Sequence, residues 1–351
     1  MMTTEAGRVD NRFQRRWMSF TELSKSPRPG DRRDGLFMAG SRSSSSVGKL
    51  LVAATLVSVI ADSSQKGPVR VRPTMNAVRA VTDPGVPDET HEKFLKQNCR
   101  FGKPAKQPQV TDLLGPTMVI ARETYVLEHS ATSKTPYWVS ELLTAELLNG
   151  ADNERLKPEP FRPEPLVPAG SRAELKDYQH SGYARGHMMP DADRTRNDLK
   201  RETYVLSNMV PQFGPFNSGV WLKLEKAVRA WAVVRKEIHV ITGPLWFDPD
   251  EADPTKADGQ IVYSVIGPNQ VAVPTHLYKI ILSQNPTSKK WEALAFLFPN
   301  IPKYPASPPL EKFLTTIDFL EEHTGYDFFP EFQEDDQEKL ESMRATVVWD
   351  K

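Results

Sequence analysis

Short strand-like segments dominate the chain after about residue 95, and they do not alternate regularly with helical patterns. The candidate strands are rich in β-branched and aromatic residues and lie at 118–127, 136–140, 203–208, 237–241, 260–265, 276–283 and 291–298. Two helical patterns stand out, at about 217–235 and about 309–322. Because successive parallel strands need a helical crossover between them, this order predicts an α+β fold with a mainly antiparallel sheet.

The N-terminal part of the chain has a different composition. Residues 1–49 contain ten basic and five acidic residues and a serine run at 43–46, so we expect a disordered basic leader. Residues 50–61 are mostly apolar. This is too short for a stable membrane span, which needs ~20 residues, and is typical of a targeting segment. We expect a secretory signal that exports the protein to the periplasm or the medium; a mitochondrial presequence and a short segment packed on the domain are the alternatives.

The remaining chain divides into three parts. Residues 62–95 are polar and interrupted by prolines, which predicts a linker. Residues 96–335 carry the strand and helix patterns and form the predicted domain, and residues 336–351 form a C-terminal tail. Within the domain, residues 153–174 contain several prolines and many charges, so we expect a long surface loop there.

Charge and cysteine content exclude two classes of protein. The chain has 45 basic and 45 acidic residues, so it is not a polycation that coats nucleic acid, and any phosphate-binding surface must be a local patch. Its one cysteine, Cys99, excludes an internal disulfide framework and a cysteine-based zinc site. A buried, unreactive thiol and a cross-link between two chains both remain open for Cys99.

The candidate catalytic residues lie between 184 and 229. His187 follows a glycine in a turn between strands, where a near-neutral pKa and open access suit a general base. Asn217 lies at the start of the first helical pattern, where its side-chain oxygen can cap the helix or bind a hard cation such as Mg²⁺. Glu225 and Arg229 are four residues apart and share a helical face, as a surface ion pair or as part of a site.

The combined pattern resembles the DNA/RNA non-specific endonucleases of the ββα-metal type, and in particular the endonuclease G branch. The motifs that carry the resemblance are Arg185-Gly186-His187, the segment 203–212, the segment 217–221 and Leu224-Glu225. Weaker similarity extends the match to roughly residues 99–332. The resemblance implies an α+β fold with a ββα-metal core.

The resemblance also implies roles for individual residues. His187 matches the general base that takes a proton from the attacking water, and Asn217 matches the protein ligand of a largely hydrated Mg²⁺ or Mn²⁺. Glu225 matches the carboxylate that holds water on this metal, so we count it with the metal ligands. Arg229 and Arg185 match residues that pair with phosphate or belong to the catalytic motif. Arg155 in the long loop and Asn208 in the second motif are further candidates for substrate contacts.

The expected activity is Mg²⁺- or Mn²⁺-dependent hydrolysis of phosphodiester bonds that leaves 5′-phosphates. Because such enzymes contact the backbone and do not read base edges, DNA and RNA are both expected substrates. The resemblance also implies a homodimer, and a protein inhibitor remains open as a further partner.

Ala184 departs from the family motif, which reads Asp-Arg-Gly-His. Alanine lacks the acceptor that aspartate supplies beside the metal, and such a loss typically costs 10- to 100-fold. Three explanations are open: a deliberate inactivating substitution, a natural weakened or inactive enzyme, or a natural variant in which Asp191 or Asp193 replaces the missing carboxylate. The departure also supports a different class of function, a catalytically silent protein that binds nucleic acid or a partner. A phosphatase acting on small molecules is a weaker alternative, since the sequence has no second metal-ligand cluster.

Overall fold

The computed structural model describes residues 88–107, 116–149, 154–252, 256, 261–332 and 337–350. The expected basic leader, the apolar targeting segment and most of the expected linker lie outside these residues. Among the helices described, none is both long and apolar enough to span a membrane.

Thirteen strands are present in the described parts of the chain. In chain order they are β1 (Ala105–Lys106), β2 (Thr117–Ala121), β3 (Val126–Ser130), β4 (Pro136–Thr144), β5 (Tyr183–His187), β6 (Met209–Phe213), β7 (Glu237–Leu245), β8 (Val265–Ile266), β9 (Val271–Ala272), β10 (His276–Gln284), β11 (Trp291–Pro299), β12 (Leu314–Thr315) and β13 (Tyr326–Asp327). Seven of them form one antiparallel sheet in the order β12-β11-β10-β7-β4-β3-β2. With the helices below, this sheet confirms the α+β class.

The helices of the described chain are mostly short. They are α1 (Asp88–Asn98), α2 (Leu175–Tyr178), α3 (Asn197–Thr203), α4 (Gly214–Phe216), α5 (Leu222–Arg235), α6 (Ile317–Thr324) and α7 (Gln337–Ser342). A π-helical turn, Asn217–Trp221, joins α4 to α5. Helix α6 begins with a hydrogen bond from Phe319 N to the Thr316 side chain and ends at Gly325 in a left-handed conformation. These are the capping interactions that fix helix ends.

Both faces of the large sheet are covered. Alternate residues of β11 point to opposite faces of the sheet. On one face, Phe296 contacts Trp231 of α5, and Phe298 contacts Trp221 in the π-helical turn before α5. On the other face, Ala295 belongs to a buried cluster that includes many aromatic residues of the C-terminal segment. Burial on two faces explains why β7 and β10 read as nearly continuous apolar runs rather than alternating ones.

Several secondary-structure predictions need correction. The single strand expected at 118–127 is two strands, β2 and β3, because the backbone turns where Arg122 N donates to Tyr125 O. The strand expected at 203–208 is the end of α3 and a 3₁₀ turn, Leu206–Asn208. Its buried residues pack into the core, where Val205 forms an isolated bridge with Arg162 and belongs to none of the sheets of the described chain. The apolar residues of this segment are buried in the core. A short apolar run of this kind does not show by itself whether the buried segment is a strand or a helical turn.

Two further predictions are partly right. Within 261–265, the described part of the strand expected at 260–265, Val265 alone belongs to a named strand, the two-residue β8, which pairs with β9. The helix expected at 309–322 is a 3₁₀ turn at Leu310–Phe313, then β12, then α6. Leu314 and Thr315 pair with β11 at the sheet edge, and this long-range pairing interrupts the helix.

The boundaries of the folded part extend beyond the predicted domain. Helix α1 lies partly within the expected linker, and its Phe94 and Leu95 pack against the buried cluster. The expected C-terminal tail contains α7 and also Trp349, whose backbone oxygen accepts a hydrogen bond of 2.7 Å from Trp231 Nε1. The guanidinium of Arg235 lies 3.5 Å from the centre of the Trp349 ring. These contacts attach both segments to the core of the domain.

Candidate active site

The candidate site is built on two paired antiparallel strands, β5 and β6, and on the helix that follows them. The strand pair is called the β5–β6 hairpin, although helix α3 lies between the two strands along the chain. Strands β5 and β6 pair with each other and form a sheet separate from the large one. After β6 the chain enters α4, the π-helical turn and α5. This ββα arrangement places His187 at the end of β5 and Asn217 at the start of the π-helical turn.

Gly186 is required by the close packing inside this hairpin. A Cβ atom at this position would lie 2.1 Å from the Gln212 side chain. Any larger residue must therefore displace a fully buried glutamine. The motif glycine lets the two strands approach beside His187.

His187 is buried among aromatic rings. Its ring lies 5.7 Å from that of Phe161 and 5.1 Å, edge to face, from that of Tyr204 (centroid distances). Burial lowers the pKa of His187 to about 4; the Asp191 carboxylate opposes this shift, and Arg155 and Arg185 add to it. Its Nε2 atom has no hydrogen-bond partner among the described residues. The imidazole is therefore neutral at pH 7 and can accept a proton, but the near-neutral pKa and the open access expected of His187 are wrong, because the ring is buried.

Two arginines supply positive charge beside this histidine. The guanidinium carbon of Arg185 lies 4.1 Å from the centre of the Phe161 ring, within the range of a cation–π contact. Arg155 pairs with Glu159 at 2.5 Å and is about half exposed. Both line the same cavity, so these two sequence-predicted residues meet at one place.

Asn217 is free to bind a ligand. It does not act as a side-chain cap, because no capping hydrogen bond is present at α4, at the π-helical turn or at α5. Its backbone N–H donates to Gly214 O, and its amide side chain makes no hydrogen bond with any described residue. It lines the cavity with Ala184 and Arg185. The capping interpretation is therefore wrong, and an amide oxygen remains available for a cation.

Glu225 and Arg229 belong to a partly buried group of charges rather than to an isolated surface pair. Arg229 donates to Asp193 Oδ1 at 2.7 Å. Partial burial raises the pKa of Glu225 to about 7, while the positive charges of Lys279 and Arg229 oppose the shift. Arg229 thus uses one of its donors within the protein.

Three more ionisable residues extend this group into the large sheet. Lys279 of β10 is 1% exposed and donates to Thr242 Oγ1 at 2.5 Å. Glu141 of β4 accepts from the buried Arg194 at 3.2 Å. Burial raises the pKa of Glu141 to about 8, and Asp193 adds to the shift. Burial also lowers the pKa of Lys279, which Glu141 and Glu225 oppose. Acidic and basic side chains thus lie together in this group, and burial favours the neutral forms of Glu141 and Lys279.

The motif position Ala184 lies directly opposite Gln212 in the β5–β6 hairpin. Gln212 is fully buried, and neither its amide nitrogen nor its amide oxygen has a hydrogen-bond partner among the described residues. An unsatisfied buried amide costs free energy. The lost acceptor at Ala184 and the unpaired amide of Gln212 are thus neighbours in the hairpin.

Asn208 does not face a substrate. Its side chain is fully buried, accepts from Met189 N at 2.9 Å and donates to Met189 O and Thr203 O, both at 2.9 Å. All of these contacts are with the backbone. The structure gives Asn208 the role of holding the segment after β5 against α3, which corrects the expected substrate contact.

Asp191 and Asp193, the suggested replacements for the motif aspartate, already have partners. Asp191 Oδ2 accepts from the Tyr204 hydroxyl at 2.6 Å, and Asp193 is 2% exposed and bound to Arg229. Neither lines the cavity among the described residues. These contacts favour a role for Asp191 and Asp193 in holding neighbouring side chains over a direct replacement of the carboxylate that is missing at Ala184.

The surroundings of Cys99 favour an unreactive thiol over a cross-link. Its side chain packs against the buried cluster, and burial raises its pKa to about 12. The thiolate that a cross-link requires is therefore scarce at neutral pH.

A cavity of about 240 Å³ lies at this site. Its wall includes Arg155, Phe161, Tyr178, Tyr183, Ala184, Arg185 and Asn217. His187 and Glu225 are not among the lining residues that the structure describes. The structure therefore brings four predicted residues to one cavity and places His187, Glu225 and Arg229 in more buried surroundings.

Sequence reasoning missed the aromatic residues of the cavity and the buried charges. Phe161 lies in the proline-rich loop and gave no periodic signal. Lys279 and Glu141 are lone charges inside strongly apolar strands, and a charge in a buried strand is a signal that could have identified them.

Comparisons with known proteins agree with this geometry. The profile of the family described as DNA/RNA non-specific endonuclease matches residues 109–335. Similar proteins include the mitochondrial nuclease EXOG of Danio rerio, 38% identical over 64% of this chain and 65% of the relative, and the mitochondrial endonuclease G of Homo sapiens, 36% identical over 62% and 71%. The Saccharomyces cerevisiae mitochondrial nuclease is 36% identical over 58% and 63%.

A solved structure shows that the fold of this chain is similar to that of an endonuclease G. A chain from the crystal structure of the EndoG/EndoGI complex aligns with a TM-score of 0.60 and 30% identity, covering 68% of this chain and 92% of the other. The match spans slightly less than two thirds of the length of the Danio rerio and yeast relatives.

Proposed function

Because the chain belongs to the DNA/RNA non-specific endonuclease family, we propose that it is a metal-dependent nuclease that hydrolyses phosphodiester bonds of DNA and RNA to 5′-phosphate products. The observation that carries this proposal is the ββα arrangement, which holds a neutral, unpartnered His187 on β5 near a helix that begins at an unpartnered Asn217. A catalytically silent binding protein is the second candidate, because Ala184 stands where the family motif has aspartate.

His187 acts as the general base in this proposal. A base must be unprotonated to accept the proton of the attacking water, and the lowered pKa keeps His187 neutral at pH 7. Its Nε2 has no competing partner among the described residues. The flanking aromatic rings of Phe161 and Tyr204 hold the imidazole in place.

A hard divalent cation fits the residues present. Mg²⁺ and Mn²⁺ prefer oxygen ligands, and the Asn217 amide oxygen is free of other bonds to described residues. Asn217 would hold the ion and Glu225 its water, with the ion supplying charge stabilisation for the leaving oxygen. Binding the ion would also favour the ionised form of Glu225.

The arginines account for phosphate binding. Arg155 and Arg185 lie beside the cavity, and Arg229 is positioned by Asp193. Guanidinium groups pair well with phosphate oxygens without reading base identity. This charge pattern supports a substrate defined by its backbone, and its binding should weaken as salt rises.

Metal removal and Asn217 provide the first test. With the full chain, we expect Mg²⁺ or Mn²⁺ to support conversion of supercoiled plasmid to cut forms and EDTA to abolish it. Asn217→Ala is expected to weaken Mn²⁺ binding in calorimetric titration and to lower cleavage by ~10–100-fold or more.

Ser218→Ala serves as the matched control for Asn217→Ala, because Ser218 is the exposed neighbour in the same π-helical turn. Cleavage that persists in EDTA would contradict a metal-dependent site. DNA binding with no cleavage under either metal would favour the silent binding protein.

Ala184→Asp is expected to raise the cleavage rate of this chain by ~10–100-fold. The new carboxylate would lie opposite Gln212, where it can accept from the unpaired amide and support the site beside Asn217. Initial rates of plasmid cleavage measure the effect, and Ala184→Asn is the control of the same size without charge. An unchanged rate would mean that the alanine does not limit this enzyme.

A protein inhibitor, a second copy of the chain and a mitochondrial location belong to the proposed function. The structural neighbour comes from a complex whose title describes EndoG inhibition, which supports a protein inhibitor as a partner of this chain. A homodimer remains part of the proposal. The names of the three relatives place those proteins in mitochondria, and this favours the mitochondrial alternative over export.

A further inference from the structure

The β5–β6 hairpin and α5 carry different parts of the candidate site. His187 lies on β5, and the hairpin forms a sheet separate from the large one. Glu225 lies on α5, which packs on the large sheet through Trp231 and Phe296. A reaction requires closely defined positions of its groups. The position of His187 relative to Glu225 therefore depends on the contacts that hold the hairpin against the large sheet.

Asn300 makes such contacts. It directly follows β11 and is 6% exposed. Its Nδ2 atom donates to Pro211 O and to Pro274 O, both at 3.0 Å, and its Oδ1 atom accepts from Phe213 N at 3.1 Å. Its backbone N–H donates to Thr275 O at 2.7 Å. One buried side chain thus joins β6 of the hairpin to the end of β11 and to the segment before β10.

The partners of Asn300 in β6 are next to the site. Pro211 lies opposite Arg185 in the hairpin, and Phe213 is the last residue of β6, directly before α4 and Asn217. An amide that uses both its donors and its acceptor is held in one orientation, and so are its partners. Asn300 therefore fixes the strand beside Arg185 and the backbone from which the turn at Asn217 starts.

Tyr304, four residues further along the chain, contacts the turn itself. Its ring stacks on that of Phe216 with 5.6 Å between the ring centres, and Phe216 directly precedes Asn217. The Tyr304 hydroxyl donates to Pro299 O, which attaches the ring to the end of β11. Because Phe216 is fully buried, its ring holds the backbone at Asn217 in a fixed place.

From these contacts we infer that Asn300 and Tyr304 are positioning residues for the reaction. They fix the hairpin and the turn against the large sheet, so that His187 and Asn217 keep their places relative to Glu225. The inference rests on the proposed nuclease function and adds two residues to it. Neither Asn300 nor Tyr304 is among the described residues that line the cavity beside Asn217, so both act through the residues they hold.

Asn300→Ala removes all three side-chain hydrogen bonds of Asn300. In the full chain, we expect it to weaken Mn²⁺ binding in calorimetric titration by ~10-fold or more. We expect kcat for plasmid cleavage to fall by ~10²-fold, the cost of displacing a reacting group by about 1 Å. Hydrogen exchange at the Phe213 amide should become faster, because this amide loses its acceptor. Mn²⁺ binding is measured without substrate, so it reports the position of Asn217 independently of turnover.

Asn98→Ala is the matched control. Asn98 is 1% exposed, and its side chain also bonds to several backbone groups, among them Phe94 O, Arg122 O and Leu142 N, each at 3.2 Å. These three partners lie in α1, directly after β2 and in β4, outside the hairpin. We expect both variants to lose stability in urea unfolding. Only Asn300→Ala is expected to lose Mn²⁺ affinity and kcat in the folded state.

Tyr304→Leu changes the contact with the turn and leaves the hydrogen bonds of Asn300 in place. Loss of the ring is expected to lower Mn²⁺ affinity and kcat several-fold. Tyr304→Phe keeps the ring on Phe216 and is expected to restore most of both values. This pair of variants decides the question if Asn300→Ala does not fold.

The inference is overturned if a folded Asn300→Ala variant keeps the Mn²⁺ affinity and kcat of the unmodified chain. Equal losses in Asn98→Ala would also overturn it, since the effect would then follow stability alone, and so would equal values for Tyr304→Leu and Tyr304→Phe. If the unmodified chain still cuts plasmid with metal in these cases, only the positioning role fails. If the unmodified chain neither binds Mn²⁺ nor cuts, the proposed function fails and the inference fails with it.

Discussion

Replacing His187 by alanine is expected to lower the rate of plasmid cleavage by ~10²–10⁴-fold, the usual contribution of a general base. The structure supplies the physical reason, since His187 is neutral and its Nε2 has no partner among the described residues. The fold should persist, because the His187 ring makes no hydrogen bond to any other described residue. Initial rates on supercoiled plasmid with Mg²⁺, and circular dichroism of the same samples, measure the two effects.

His91→Ala is the matched control for His187→Ala. His91 lies in α1, far along the chain from the hairpin, and alanine is favoured in a helix. We expect its cleavage rate to match that of the unmodified chain. Equal rates for His187→Ala and the unmodified chain would remove His187 from the mechanism.

The pH dependence of kcat/KM gives a second readout of the same residue. A base works only when unprotonated, so activity is lost as pH falls through the pKa of the free enzyme. Because burial lowers the pKa of His187 to about 4, we expect activity to persist below pH 6.5, the ordinary value for histidine, and to fall as pH approaches 4. The pKa of Glu225 is raised to about 7 in the metal-free protein, and bound Mg²⁺ would favour its ionised form, so the profile is measured at saturating Mg²⁺. An acid limb that stays at or above pH 6.5 under that condition would contradict the buried, neutral histidine.

Gly243→Ala is expected to cost about 2–6 kcal/mol of unfolding free energy, the largest effect on stability that we anticipate. A Cβ atom at Gly243 would lie 2.4 Å from both Tyr137 O and the Tyr278 hydroxyl. These two atoms form a buried hydrogen bond of 2.9 Å between β10 and β4. The estimate adds ~1–3 kcal/mol for overpacking to ~1–3 kcal/mol for breaking a buried hydrogen bond.

Urea unfolding followed by circular dichroism measures this cost. Gly214→Ala is the control, because a Cβ atom there meets nothing within 4 Å and should change stability by less than ~1 kcal/mol. Similar midpoints for the two variants would show that the centre of the sheet repacks around the methyl group.

The local sequence predicted the helices and strands in which buried residues recur at a regular spacing. The apolar stripe through Val220, Leu224, Val228 and Trp231 marked the buried side of the π-helical turn and α5, and these residues are buried as expected. The strands at 276–283 and 291–298 were also predicted almost to their ends. Predictions failed where a distant segment decided the conformation, as at Leu314 and Thr315, which pair with β11 at the sheet edge instead of continuing a helix.

The sequence by itself determined the motif residues His187, Asn217 and Glu225 and the family to which the chain belongs, because fixed spacing along a hairpin and helix is a local property. Only the tertiary structure brought Phe161, Tyr178 and Tyr183 into one wall, placed Ala184 opposite an unpaired Gln212, and grouped Lys279 and Glu141 with Asp193 and Arg229. Residues up to about 140 positions apart meet in these contacts. Their burial and charge pairing depend on packing between elements, which the pattern of any one element does not encode.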